Sequence, residues 1–293
     1  MSENPGSAGF APARIAPRVP PHAFFMVSAV FHYLGPSFAV LLFARVEPLG
    51  VAWLRIASAG AVFALWRRPW RFFATRAARE QAVVIALGVV LAAMNSVFYE
   101  AIARLPLGTV GAIEFLGPIA LAAFGLRTRR NLAALALATA GVYVLTDVRI
   151  AGAPLGFLFA FANCALFMLY VVLGHRIASA GGGLSGIDRL GAAMLMAAVA
   201  ALPFGIGAAA PAFRSPLLLG AGIGVGVSSS VIPYVCDQLA MQRLPRASFA
   251  LLLALLPATA SLVGLLVLRQ VPSPAEAAGI ALVIAGVALH RAE

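Results

Sequence analysis

The sequence predicts an all-α membrane protein with ten transmembrane helices laid out as two inverted five-helix repeats. Three observations predict it. Apolar runs of roughly 20 residues, the length that crosses a bilayer, follow one another with short polar breaks. Arginines gather at the ends of those runs and fall mostly on one side. A short motif, Arg104-Leu105-Pro106, returns as Arg243-Leu244-Pro245.

The run lengths rest on composition. The 293-residue chain is 62% hydrophobic and 11% charged, too little charge to clothe a globule of this size in water. Its mean hydropathy is +0.98. The expected spans are 23–44, 47–66, 81–103, 107–126, 131–147, 154–173, 187–207, 216–240, 246–268 and 274–290. Residues 1–22 are rich in Pro and Gly and lack an apolar core. They read as a disordered cytoplasmic tail rather than a cleaved signal peptide. The first five-helix repeat then covers 23–147 and the second 154–290, with no segment left for a soluble catalytic domain.

Arginine sets the topology. The net charge of +11 rests on 21 arginines and no lysine. A basic chain can serve nucleic acid, but arginines at the ends of apolar runs are a topology signal, so no nucleic-acid partner is expected. With the N-terminus inside, 15 arginines fall on inside segments, among them Arg67, Arg68, Arg71, Arg76 and Arg79. Five fall outside: Arg45, Arg104, Arg149, Arg214 and Arg269; Arg55 lies within a span. This bias puts both termini in the cytoplasm, requires an even number of spans, and places the chain in a bacterial-type inner membrane with lipid as its surroundings.

The repeat follows from the recurring motif. The shift of 139 residues that relates Arg104 to Arg243 also carries Ala101 to Ala240, Pro118 to Pro257 and Gly125 to Gly264. Ala140-Gly141-Val142 matches Ala285-Gly286-Val287 at a shift of 145. Five spans per unit is an odd number, so the second copy crosses the membrane the opposite way. That is the inverted-repeat plan of secondary transporters, with a site near the midplane between the halves. A duplication kept only for packing gives the same architecture.

Polar residues inside the spans are the candidate site. A charge at mid-bilayer costs at least about 2.5–3.5 kcal/mol, so it faces a cavity or a partner. Glu114 lies mid-span, four residues before Pro118, where Gly117-Pro118 is expected to kink the helix and free backbone carbonyls. Burial penalises its charged form, which suits a proton carrier or a binder of a substrate ammonium group; the plainer reading is a partner for Arg55. Arg55, eight residues past Pro48, is about two turns deep and suits a carboxylate or phosphate. Asp237 shares a helical face with Tyr234, three residues earlier, about one turn from the inner end, where an acid is also cheap as a solvated group. Asn95 and Tyr99, four apart, share a face, and the shift of 139 turns them into Tyr234 and Gln238. Two related polar faces are what a midplane site needs; each alone could bond between helices. Glu100, near its helix end, reads as solvated, and His32 and Trp53 as packing and interface anchoring.

Other signals carry no chemistry. Gly220, Gly222, Gly224 and Gly226 sit inside an apolar span without a βαβ unit, so they read as small residues for close helix packing rather than a nucleotide loop. Gly181-Gly182-Gly183 reads as a flexible linker between the halves. Cys164 and Cys236 give neither a disulfide framework nor metal spacing. No catalytic set and no cofactor or metal site is expected, so the chain is not read as an enzyme.

The stretches Ala93-Met94-Asn95-Ser96-Val97-Phe98-Tyr99, Leu105-Pro106-Leu107-Gly108 and Ala112-Ile113-Glu114-Phe115-Leu116-Gly117-Pro118 resemble the drug/metabolite transporter superfamily. Within it they are most similar to the EamA-type permeases that export threonine and homoserine. Ser230-Val231-Ile232-Pro233-Tyr234 with Asp237, and then Arg243-Leu244-Pro245, carry the likeness into the second half. The resemblance implies a ten-helix exporter driven by the proton gradient. Two departures stand out. Leu256 occupies a place where similar exporters carry an acid, and Leu268-Arg269-Gln270 stands where they end in Leu-Gly-Glu. They point to altered selectivity.

The leading expectation is a secondary exporter of a small polar metabolite, an amino acid above all, working by proton-coupled alternating access. Its substrate-binding residues would be Arg55, Asn95, Tyr99, Glu114, Tyr234 and Asp237. A same-fold transporter of drugs or nucleotide-linked sugars, a membrane-embedded transferase and a passive channel are the rivals. A transferase would be expected to show several His or Asp residues at the membrane edge, whereas the four His here are scattered.

Overall fold

The computed structural model describes residues 20–125, 128–149, 153–179, 186–241 and 255–289, and contains no strand among them. The helices are α1 (Pro21–Leu42), α2 (Pro48–Arg67), a short α3 (Trp70–Thr75), α4 (Ala78–Ile102), α5 (Leu107–Gly125), α6 (Arg129–Arg149), α7 (Pro154–Ser179) and α8 (Gly186–Gly205). A short α9 (Ala210–Phe213) precedes α10 (Pro216–Gly226), a π turn (Val227–Val231), α11 (Ile232–Met241), α12 (Leu255–Leu268) and α13 (Pro274–Leu289). Proline opens α1, α2, α7, α10 and α13, where its missing N–H costs no helical bond and its fixed φ suits the first turn. Two helices end on arginine in the left-handed conformation, Arg68 (φ 50°) after α2 and Arg269 (φ 55°) after α12.

Each of the ten expected spans overlaps a helix, the eighth being continuous through α10, the π turn and α11. Six helical stretches among the described residues are long and apolar enough to cross a membrane by length and composition: His22–Leu42, Pro48–Arg67, Ala78–Ile102, Pro154–Gly174, Gly186–Gly205 and Pro216–Asp237. Helix α3 fills a stretch expected to be a loop. Buried Phe72 anchors it, and the Gln81 side chain donates to the Phe73 and Arg76 carbonyls, satisfying groups that a helix end leaves open. The tail 1–19, the motif Arg243-Leu244-Pro245 and the linker glycines lie outside the described residues.

The helices cover one another on their inner faces and leave apolar side chains outward. Leu65 is 86% exposed and Leu217 80%. In water such a surface would be a liability, whereas in a bilayer it faces acyl chains. This is a multi-pass membrane protein.

The packing follows an exchange rule. Take α1, α2, α4, α5 and α6 as one set, and α7, α8, α10–α11, α12 and α13 as their counterparts in order. The pairs α2–α8, α5–α12 and α6–α13 pack directly against each other. The pair α4–α7 is matched by α1 against α10–α11, α4–α8 by α2 against α10 and the π turn, and α5–α7 by α1–α12.

The rule reaches single residues. A Cβ on Gly88 would lie 2.8 Å from the Ala193 carbonyl oxygen, and one on Gly226 would lie 2.7 Å from the Arg55 carbonyl oxygen. Adding 138 to 88 and to 55 gives 226 and 193, so these are one contact with the sets exchanged. Likewise a Cβ on Gly141 would lie 2.5 Å from Gly279 O, and one on Gly286 would lie 2.7 Å from Ala134 O. Adding 145 to 141 and to 134 gives 286 and 279. Small residues let these backbones approach as membrane helix pairs require.

Candidate substrate-binding layer

Arg55 is carried inward by α2 and is 5% exposed. Its Nε–H donates to Ser230 Oγ at 2.9 Å and its Nη2–H donates to the Ser229 carbonyl at 3.1 Å. The guanidinium sits over the Tyr99 ring, 5.5 Å from its centroid. Sequence explains this dock. Pro233 has no N–H to return to the carbonyl four residues earlier, Ser229 O, and that is the carbonyl Arg55 engages. The surrounding stretch relaxes into a π turn, a rare form that recurs at functional sites. Gly226 lets the two helices close over the contact, since a side chain there would overlap Ser58.

Glu114 is 4% exposed on α5. Asn163 of α7 donates Nδ2–H to its Oε1 at 3.2 Å. The Tyr33 ring of α1 packs at Gly111, where a Cβ would lie 3.2 Å from the hydroxyl; Gly111 is on the face of α5 that carries Glu114. Glu114 Oε2, Asn163 Oδ1, the Tyr33 and Tyr99 hydroxyls and Ser229 Oγ are all buried, and none makes a well-formed hydrogen bond among the described residues, with Tyr33 lying close to Glu114 and Tyr99 close to Ser229. So many unmatched polar atoms in one interior are costly unless a ligand or another conformation satisfies them.

Arg55 and Glu114 feel each other electrostatically but do not pair. The ion pairs among the described residues are Arg67–Asp188 at 2.7 Å and Arg104–Glu100. The second shows Glu100 partnered by an arginine in the turn just past the end of its helix. Tyr234 is buried in the electrostatic field of Arg55 and Asp237. Asp237 is partly buried beside Ser28, whose hydroxyl donates to the Pro233 carbonyl at 3.3 Å.

The structure therefore brings Arg55 and Tyr99 into contact and sets Glu114 and Tyr234 in their field. Asn95, one turn from Tyr99 on α4, is also buried, and its amide donates to Leu91 O of its own helix at 2.7 Å. Gln238 lies outside the described side chains. Helix α5 runs through Pro118 without interruption, and the missing proline N–H leaves the Glu114 carbonyl, four residues earlier, without its helical donor. Sequence reasoning did not single out Tyr33, Asn163 or Ser229, and it named Ser230 only within a stretch carrying the family likeness. The available signal was that each is a polar residue stranded in an apolar run. Among the described residues no group of His, Cys, Asp or Glu could hold a metal ion.

A cavity of about 350 Å³ opens at one end of the molecule, between the α4–α5 and α12–α13 connections, lined by Arg104, Thr109, Ser261, Gln270 and Glu276 among others. A smaller one, about 170 Å³, lies at the ends of α3, α4, α7 and α8 and is lined by Arg79, Glu80, Arg176 and Arg189.

A charged, hydroxyl-rich layer sealed inside an apolar bundle is the interior of a membrane transporter. The model of the EamA-like transporter family matches residues 154–291. The threonine/homoserine exporter RhtA of Salmonella typhimurium (strain SL1344) is 32% identical over 244 residues, covering 80% of this chain and 79% of that protein. RhtA of Escherichia coli (strain K12) is 30% identical over 259 residues, covering 86% and 84%. The chain belongs to the EamA-like transporter family, and it is a transporter rather than an enzyme. A solved crystal structure of a protein at 18% identity shares the fold, with a TM-score of 0.59 over 92% of this chain and 96% of that one.

Proposed function

We propose that this protein is a secondary exporter of a small amino acid. It would cross the inner membrane ten times, as two inverted five-helix repeats, 23–147 and 154–290, with both termini cytoplasmic. The observation that carries the reading is the pair of opposite charges, Arg55 and Glu114, buried in one layer without bonding to each other. A zwitterion offers a carboxylate to the first and an ammonium to the second. Tyr99 and Ser229 flank the carboxylate end, and Tyr234 and Asp237 border the layer toward the inner side.

Several facts support the rest. The exchange rule relates the first five expected spans to the last five in order, which inverted units of five would produce. The excess of arginine on the inside segments favours cytoplasmic termini. The relatives named above are exporters of threonine and homoserine. Glu114 is the group we assign to the exchanged proton, because it is a buried acid with one carboxylate oxygen unbonded. Rocking of the halves would expose the layer to each side in turn.

The test is counterflow in proteoliposomes carrying the purified protein, with threonine, homoserine, a nucleotide sugar and a cationic drug. Saturable threonine or homoserine exchange that responds to a pH gradient is the expected result. In Glu114→Gln the response to the gradient should disappear while the protein stays folded. Exchange of only the sugar or the drug would reassign the substrate, and gradient-driven transport of wild-type size by Glu114→Gln would remove that residue from coupling.

A further inference from the structure

We propose that Asn163 and Tyr33 join Glu114 in a site for a primary ammonium group, so that the protein takes free α-amino acids and rejects their N-acylated or N-permethylated forms. This rests on the transport reading above and deepens it.

The argument begins with the Asn163 amide. Its Nδ2–H donates to Glu114 Oε1 at 3.2 Å. The reversed amide would place oxygen against oxygen, so the contact fixes which end is which. The other end, Oδ1, is then an acceptor without a partner among the described residues, and so is Glu114 Oε2. Both are held by one hydrogen bond and belong to one local cluster. The Tyr33 hydroxyl, brought in at Gly111 beside Glu114, is the third oxygen without a well-formed partner.

These three oxygens come from α1, α5 and α7. Two of them can only accept, and one carries the negative charge of a carboxylate. A group that satisfies all three must bring several donors from one compact centre and a positive charge. A primary ammonium has three N–H donors and that charge. A hydroxyl brings one donor and no charge. An N-acetyl nitrogen brings one N–H and no charge, and a trimethylammonium brings charge without a donor. In a desolvated interior, oxygens left unmatched by such ligands carry the full cost of burial. Arg55 lies in the same field as the positive group opposite. It keeps a second cation from being the intended ligand on its side of the layer.

The experiment is competition in the counterflow assay, using labelled threonine against unlabelled threonine, N-acetyl-threonine and trimethylglycine. Wild type should prefer threonine to either derivative by about tenfold or more, the worth of one lost charged hydrogen bond. Asn163→Leu should lose threonine affinity by about tenfold and shrink that preference. Tyr33→Phe removes only a hydroxyl and serves where Asn163→Leu fails to fold; it should move the same way. Equal competition by N-acetyl-threonine in wild type overturns the proposal, as does an unchanged preference in the folded variants. A protein that exchanges no amino acid overturns the transport reading itself, an outcome distinct from amino-acid exchange with the wrong selectivity.

Discussion

Gln270 accepts the backbone N–H of Leu107 on its side-chain oxygen at 3.0 Å, which ties the end of α12 to the first turn of α5. The tie depends on the residue before it. Arg269 adopts φ 55°, and the chain turns so that Gln270 N–H reaches back to the Gly264 carbonyl at 3.0 Å, closing the helix end. A side chain in that conformation costs roughly 1–2 kcal/mol, which glycine avoids. Arg269→Gly should therefore raise thermal stability by about 1 kcal/mol, less glycine's greater loss of chain entropy, read as a higher melting temperature in detergent. Gln270→Leu should lower it by about 1 kcal/mol by leaving Leu107 N–H unserved.

Arg55 holds two different acceptors and lies over a ring, a combination that a point-like ammonium cannot reproduce. Arg55→Lys should weaken substrate exchange by roughly tenfold to a hundredfold, corresponding to about 1.5–3 kcal/mol for charge-assisted bonds. Counterflow at a series of threonine concentrations measures it. Exchange equal to wild type would show that the guanidinium is there for packing alone.

Pro233→Ala restores an N–H that can bond to Ser229 O and competes with Arg55 for it. The helix should become more stable while exchange falls. A melting curve and an exchange rate from the same preparation test both halves, and a rise or fall in the two together would contradict this reading of the π turn.

The glycine run of α10 divides into two kinds. Gly222 and Gly226 face α2, with a Cβ meeting Leu54 at 3.0 Å in the first case and Arg55 O at 2.7 Å in the second. Gly220 and Gly224 meet nothing within 4 Å. Gly226→Ala should cost about 1–3 kcal/mol through overpacking. Gly220→Ala and Gly224→Ala should each gain about 0.5–1 kcal/mol from helix propensity. Melting temperatures of the three single variants separate the cases.

That run also marks how far sequence reading went. It announced close packing, and a period of four then picks the two glycines that pack, but nothing in composition said which pair. The long helices were legible because the length and polarity of an apolar run are local properties. Arg55 and Glu114 were legible because a charge in such a run has few explanations. Tyr33, Asn163 and Ser229 were not, since a neutral polar side chain can satisfy itself on its own helix, as Asn95 does. Their meaning depends on which oxygens remain unmatched after three other helices have packed. The π turn was hidden too, because one extra residue in a turn leaves no mark in composition beyond Pro233.

The seam between α6 and α13, where Gly141 meets Gly279 and Gly286 meets Ala134, brings backbone against backbone, with Leu145 and Val283 packed beside it. Neither helix can roll there without collision. If the halves rock as proposed above, this line would be the pivot, and displacement would grow with distance from it. The far edge of the bundle, where α2 meets α8 through Trp53 Nε1–H and the Ala198 carbonyl, would then travel farthest for a given rotation.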